Sequence, residues 1–295
     1  MPVIDIHEHV IPRRGFMHPQ RGETITTAAE LVAIMDRKGI DRSVVLPLSS
    51  PETYHFVQSN EEVLEACAQF PERLIFFCNV DPRLESNNFD YDFVPILAYY
   101  KALGARGVGE VVCNLWWHDP RVQNLLRDCA KVGLPFLFHL ATREFGTYGL
   151  ITRPGLIELE RALDTHPQLA FLGHSQPFWA EVGPTPNEAE RAGYPRGKVL
   201  PGGRVPALMR KYKNLRGDLS AGSGHNALAR DPEWAYEFLD EFQDQLLMGN
   251  DVCIPSNDQC ELVDFLREGQ AKGRISEQVF NKVMGDNAVK LLGLE

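Results

Sequence analysis

His7 and His9, one residue apart at the end of the apolar run Val3-Ile4-Asp5-Ile6, are the residues of this chain best placed to do chemistry. In a β-strand, residues i and i+2 share a face, so both imidazoles can address one ion. Neutral imidazole is a favoured ligand of zinc and other transition metals. Two half-buried surface histidines at a strand end are the plain alternative, and the rest of the chain decides between them. Further along stand Glu110, His139, His174 and Asp251, each at or near the end of an apolar run. Every one of these types can bind a divalent cation or move a proton. Four of the nine histidines fall in this set, which is not a random scatter.

Those residues need a scaffold that brings distant strand ends together. Apolar runs read as strands over 3–7, 43–48, 74–80, 106–112, 135–140, 169–174, 215–220 and 246–251. Helical patterns follow them over 27–37, 60–70, 93–103, 121–132, 155–165, 205–212, 233–242 and 258–268, and a helical tail closes the chain over 276–295. Thr27 with Glu30 has the spacing of a capping box. Eight strand–helix alternations indicate a parallel sheet, and eight closes a (β/α)8 TIM barrel. A doubly wound open sheet is the competing α/β arrangement, but no GxGxxG follows the first strand. One domain, 1–295, is therefore expected. The Pro- and Gly-rich stretch 176–203 after the sixth strand is read as a pocket-forming insertion, because Phe178, Trp179 and Tyr194 favour packing.

The 295 residues are 44% hydrophobic and 24% charged, ordinary for a globular protein with a buried core. The formal net charge of −10 disfavours nucleic acid and anionic membranes as partners. No apolar run approaches the length of a membrane span, and no basic-then-apolar leader opens the chain. The six cysteines form no CxxC pair and read as free thiols, so the cytoplasm is the expected compartment. Cys253, two residues after Asp251, is placed to line the mouth of a site.

The order HxH, His, His, Asp, opening with Asp5-Ile6-His7-Glu8-His9, resembles the amidohydrolase superfamily. It is most similar to the amidohydrolase-2 branch, which includes aminocarboxymuconate-semialdehyde decarboxylase-like enzymes. Leu247-Met248-Gly249-Asn250-Asp251 and the closing stretch Gly285-Asp286-Asn287-Ala288-Val289-Lys290-Leu291-Leu292-Gly293-Leu294 carry the likeness to the chain's end. Asn250 stands where a Ser or Thr is common. The resemblance implies a TIM barrel whose strand ends hold one Zn2+ ion, or two, through His7, His9, His139 and Asp251. Glu110 would then be either a bridge between two ions or a hydrogen-bond acceptor behind the ligands. His174 would either complete a second metal site or polarise the substrate's carbonyl oxygen, and Asp251 would also move a proton.

Substrate contacts are read from position alone. Arg143 lies just after the fifth strand, and Arg13 and Arg14 after the first; a guanidinium there can fork onto a carboxylate. Trp116 and Trp179 fall on strand-end loops and can wall a pocket, and His225 can reach it from the loop after the seventh strand. His18 and His118 lie on overhanging loops, whereas His55 and His166 read as surface or capping residues. Asp5, two residues before His7, can bond a ligand histidine or a buried backbone amide.

The expected function is metal-dependent hydrolysis of an amide, ester or lactone of a small molecule. Non-oxidative decarboxylation of an unsaturated or aromatic carboxylic acid uses the same ligands and is the alternative. The expected partners are the small-molecule substrate and a second copy of the chain in a homo-oligomer, a dimer.

Overall fold

The computed structural model describes residues 1–17, 22–53, 57–184 and 187–294. Its strands, in chain order, are β1 (Ile4–Glu8), β2 (Arg42–Val45), β3 (Leu74–Phe76), β4 (Val108–Val111), β5 (Phe136–Ala141), β6 (Leu150–Ile151), β7 (Phe171–His174), β8 (Leu215–Asp218) and β9 (Leu246–Leu247). All pairings between them are parallel. β1-β2-β3 form one sheet, and β4-β5-β7-β8-β9 a second, with the two-residue β6 alongside β5.

Two seams close these sheets into a (β/α)8 barrel. At one, Cys78 pairs with Val108, its amide donating to the Gly107 carbonyl at 3.0 Å while the Gly109 amide donates to the Cys78 carbonyl at 2.9 Å. At the other, Glu8 pairs with Val252, and the amides of Ile6, His9 and Asp251 reach the carbonyls of Met248, Val252 and His7.

Helices pack outside the strands: α1 (Ala28–Lys38), α2 (Asn60–Gln69), the single turn α3 (Leu84–Asn87), α4 (Val94–Ala102), α5 (Pro120–Val132) and α6 (Ile157–Thr165). The expected capping box is present on α1. Thr27 accepts from the Glu30 amide, and Glu30 accepts from the Thr27 amide. After β7 the described residues include α7 (Gln176–Ala180) and α8 (Glu188–Arg191) before α9 (Arg204–Lys211). Then follow α10 (Ala221–Ala229), α11 (Pro232–Glu241), α12 (Leu262–Ala271), α13 (Glu277–Asn281), a π-helical turn (Lys282–Asp286) and α14 (Asn287–Leu292).

Strand alternation sorts the apolar residues into two cores. Phe136, Phe138 and Phe171 join the layer between strands and helices. Leu137 and Leu172 point the other way, into the barrel, with Ile4, Ile6, Val44, Leu46, Ile75, Phe77 and Leu247. Ala288 and Leu292 of α14 close that inner core from below. The closing segment lies directly on the N-terminus: a Cβ at Gly285 would fall 1.9 Å from the Pro2 carbonyl oxygen.

The same period of two places the ligand candidates. Two residues above Leu137 is His139, and two above Leu172 is His174, so each imidazole sits over its own strand's contribution to the barrel floor. Strict alternation would turn His7 outward after Ile6. The β1–β2 register slips between Asp5 and Glu8, and His7 reaches the mouth. A second slip between Val108 and Val111 brings in Glu110. It requires Gly109, at φ 149°, because a Cβ there would lie 2.7 Å from the Leu137 carbonyl oxygen.

Candidate metal centre

Five of the candidate side chains converge at the C-terminal ends of the strands. The His7 and His9 Nε2 atoms lie 3.1 Å apart. Glu110 Oε2 is 3.6 Å from His7 Nε2 and 3.5 Å from His9 Nε2, and Asp251 Oδ1 is 3.6 and 3.4 Å from the same two atoms. His174 Nε2 stands 3.9 Å from Glu110 Oε1 and 3.7 Å from Asp251 Oδ2. Two overlapping ligand groups result, His7–His9–Asp251 and His7–Glu110–His174, each with its donor atoms within 4.8 Å of one another.

The far nitrogen of each ring shows what the near one can do. His9 Nδ1 lies 2.8 Å from the Leu46 carbonyl oxygen, which only accepts, so the proton is on Nδ1. His7 Nδ1 lies 2.7 Å from Asp218 Oδ2, which assigns its proton likewise. His174 Nδ1 is 2.9 Å from Ser220 Oγ. With Nδ1 of His7 and His9 carrying the ring proton, each Nε2 is the position that takes a further proton or a cation, and the two lie 3.1 Å apart with two carboxylates beside them. A shared cation satisfies that arrangement, and the donor set of imidazole nitrogens and carboxylate oxygens suits zinc or another first-row divalent metal.

The electrostatics point the same way. Burial works against a proton on His7, but Asp251, Asp218 and Glu110 outweigh it and hold the imidazole well above its ordinary pKa. Burial would raise Glu110, yet His7 and His9 pull it well below the usual carboxylate range. Asp251 is lowered despite burial, through His7 and His9. This pocket therefore attracts positive charge strongly. His139 behaves differently: burial drops it to about 4.

His139 stands at the edge of the convergence, its ring 5.6 Å from that of His174 and 4.4 Å from that of Tyr148. Its Nδ1 is buried without a hydrogen-bond partner, close to Gly149, where a Cβ would sit 2.8 Å away. The four-ligand set expected around one ion thus has three members in tight register, and His139 outside both tight groups.

A family model described as Amidohydrolase, of the amidohydrolase-2 branch, matches residues 4–294. The chain belongs to this family. Curated proteins yield no sequence match. Among solved structures, this amidohydrolase is similar to a 5-carboxyvanillate decarboxylase from Sphingomonas paucimobilis, with 18% identity, TM-score 0.64, and 100% of this chain and 99% of that one covered. It is also similar to a probable 2-pyrone-4,6-dicarboxylic acid hydrolase from Acinetobacter baumannii, with citric acid bound (16% identity, TM-score 0.61, 99% and 100% covered). A third is a 5-carboxyvanillate decarboxylase from Novosphingobium aromaticivorans, complexed with manganese and 4-hydroxy-3-methoxy-5-nitrobenzoic acid (16% identity, TM-score 0.61, 99% and 96% covered). At these identities they establish the shared barrel.

Other expected site residues are distributed unevenly in the amidohydrolase. Trp179 is not a pocket wall: it is buried in the core, with its indole donating to the Asp218 carbonyl at 2.7 Å. His225 lies on helix α10, not a loop, and its ring faces Phe265 of α12 at 6.3 Å. Trp116 is half-buried beside the mouth, where its indole donates to Glu144 at 2.6 Å. Arg143 is exposed on the loop after β5, whose backbone Asn114 pins; among the described residues it has no ion-pair partner. Arg14 is taken up by Glu30. His18 and His55 lie outside the described residues. Asp5 accepts from the backbone amides of His7 and Asn250, so it braces the strands and leaves the rings to others.

Three side chains at the candidate site escape the sequence reading. Asp218, at the end of β8, is the carboxylate behind His7, and Ser220 bridges His7 and His174 at 3.2 and 2.9 Å. A carboxylate at a barrel strand end was the available signal. Asp218→Asn should lower metal affinity about 10–100-fold, since groups that fix ligand imidazoles contribute on that scale. Competition with a chromophoric chelator measures it; an unchanged affinity would show that His7 is oriented by other means. Tyr148 is the third, its ring laid on that of His139, with burial the main cause of its raised pKa and the charges of Glu110 and Asp251 adding to it. Its loop folds back here only because residue 149 is glycine, at φ 111° and within 2.7 Å (by its would-be Cβ) of the Leu140 backbone.

Proposed function

We propose that this amidohydrolase hydrolyses an amide, ester or lactone of a small molecule, with a divalent metal, zinc by preference, in the pocket of His7, His9 and Asp251. The carrying observation is the position of Asp251. One carboxylate oxygen faces the His7–His9 pair at 3.4–3.6 Å, and the other faces His174 at 3.7 Å. When bound, the metal supplies Lewis acidity, bringing a coordinated water's pKa to about 7 and polarising the substrate's carbonyl. Asp251 then accepts the water's proton and delivers it to the leaving group. His174, anchored through Nδ1 to Ser220, would present Nε2 to the developing oxyanion, or would help His7 and Glu110 hold a second cation.

Metal analysis of protein purified without chelator tests the site. One equivalent per chain supports Glu110 as a neighbouring acceptor; two make it a bridge; none, with no binding on titration, removes the proposal. The phenol of Tyr148 is the proposed donor to the substrate's oxygen. Tyr148→Phe should cost about tenfold in kcat, the worth of roughly one neutral hydrogen bond, with metal content unchanged.

Decarboxylation of a carboxylic acid is the second reading. It is favoured by the unpaired, exposed Arg143 at the mouth and by the decarboxylases among the structural neighbours. Assaying CO2 release across a panel of aromatic and unsaturated carboxylates, beside ester and lactone hydrolysis, separates the two. Release of CO2 without hydrolysis would overturn the first reading.

A further inference from the structure

At the opposite end of the barrel, a cavity of about 260 Å³ is lined by Lys213, Arg216, Glu241, Asp244, Gln245, Asn287 and Lys290. It lies where the start of β8, the end of α11 and the closing helix α14 meet. Arg216 is half-buried on β8 itself, and among the described residues its guanidinium bonds only to a backbone oxygen, that of Asp244. Its Nε is buried without a hydrogen-bond partner among the described residues, and burial lowers its pKa, which the charge of Asp244 offsets only in part. Buried cations are rarely left without a counter-charge.

The two acids of the cavity are committed elsewhere. Glu241 takes both guanidinium bonds of Arg210, at 2.5 and 2.8 Å, and Asp244 pairs with Lys282 at 2.8 Å. Lys290 has no ion-pair partner among the described residues, and Lys213 reaches only carbonyl oxygens, at 3.3 and 3.4 Å. The Asn287 side-chain amide donates to Gln243 and Leu246, which fixes α14 against this wall. Three cations with spare donors thus face one small space in a chain whose net charge is −10.

We infer that this cavity is a binding site for a small inorganic oxyanion, phosphate in size and charge, which ties α14 to the base of the barrel. An oxyanion there supplies acceptors for the free guanidinium edge of Arg216 and for the ammonium groups of Lys213 and Lys290.

Thermal unfolding of the metal-loaded protein in potassium phosphate, against potassium chloride at matched ionic strength, tests this. The wild type should show a saturable rise in Tm of about 3 °C at about twentyfold over Kd. Arg216→Met should lose the rise, and Lys290→Met, a change at an exposed side chain, should weaken Kd severalfold. An equal response in wild type and Arg216→Met would place the anion at the metal centre and overturn the inference. So would a wild-type response no larger than that to chloride, or an unchanged Kd in Lys290→Met if Arg216→Met does not fold.

Discussion

Asp251→Asn should keep much of the bound metal and lose about 10²–10⁴ in kcat, the range over which a positioned proton carrier contributes. The amide preserves the shape of the side chain and one oxygen, so His7 and His9 retain a third donor for the cation. What it cannot do is accept the water's proton as a carboxylate does. Glu110 is held ionised by His7 and His9, but it faces the cluster from β4, across from Asp251. Asp251 also sits at φ 59°, in the left-handed region that a non-glycine residue adopts at some cost. Its backbone amide is bonded to the His7 carbonyl at 2.9 Å, so the conformation is fixed by the seam that closes the barrel. Metal content and kcat measured on the same preparation decide the matter. An unchanged kcat would remove the proton-carrying role, and a lost metal would reduce Asp251 to a ligand.

Most of this was legible in the chain because barrel strands carry a simple code. An inward apolar residue two positions before a polar one marks Leu137–His139 and Leu172–His174, and both hold in the structure. His7 and Glu110 are harder cases, since each is turned inward by a register slip that period-two reasoning does not contain. The shared face of His7 and His9 follows from their spacing, but its inward direction does not, and Glu110 is legible only by its residue type. Asp218 is hidden in the sequence because the seventh apolar run continues to Ser220, two residues past the end of β8. Trp179 was misassigned for a related reason. A tryptophan in a Pro- and Gly-rich stretch reads as loop, but a Cβ at Gly217 would fall 2.7 Å from its ring, so the indole is packed against β8. His225 followed from missing α10, whose Ala-Gly-Ser-Gly opening carries little helix propensity.

Asp218 and Trp179 belong to one unit. α7 delivers the Trp179 indole to the Asp218 carbonyl, and Asp218 bonds His7, so the insertion after β7 supports the candidate metal centre from behind. Its anchor is a buried ion pair. Arg191, 1% exposed, bonds Glu181 through Nε at 2.7 Å and the Arg153 carbonyl through Nη2, while Glu181 also accepts from the Gly155 amide. Arg191→Ala should destabilise the fold by about 3–5 kcal/mol, because it strands a buried carboxylate without its counter-charge.

The loss should depend on pH with a definite sign. Burial already raises the pKa of Glu181 in the folded state, against the lowering effect of Arg191, and removing the arginine raises it further. A carboxyl with a raised folded pKa favours folding while protonated and loses that contribution as pH rises through the folded value. Urea unfolding of Arg191→Ala at pH 5 and pH 8 should therefore show the larger deficit at pH 8. Chelator competition on the same variant should show weakened metal binding, transmitted through Trp179 and Asp218. A variant as stable as wild type at pH 8, or one destabilised with its metal affinity intact, would uncouple the insertion from the centre.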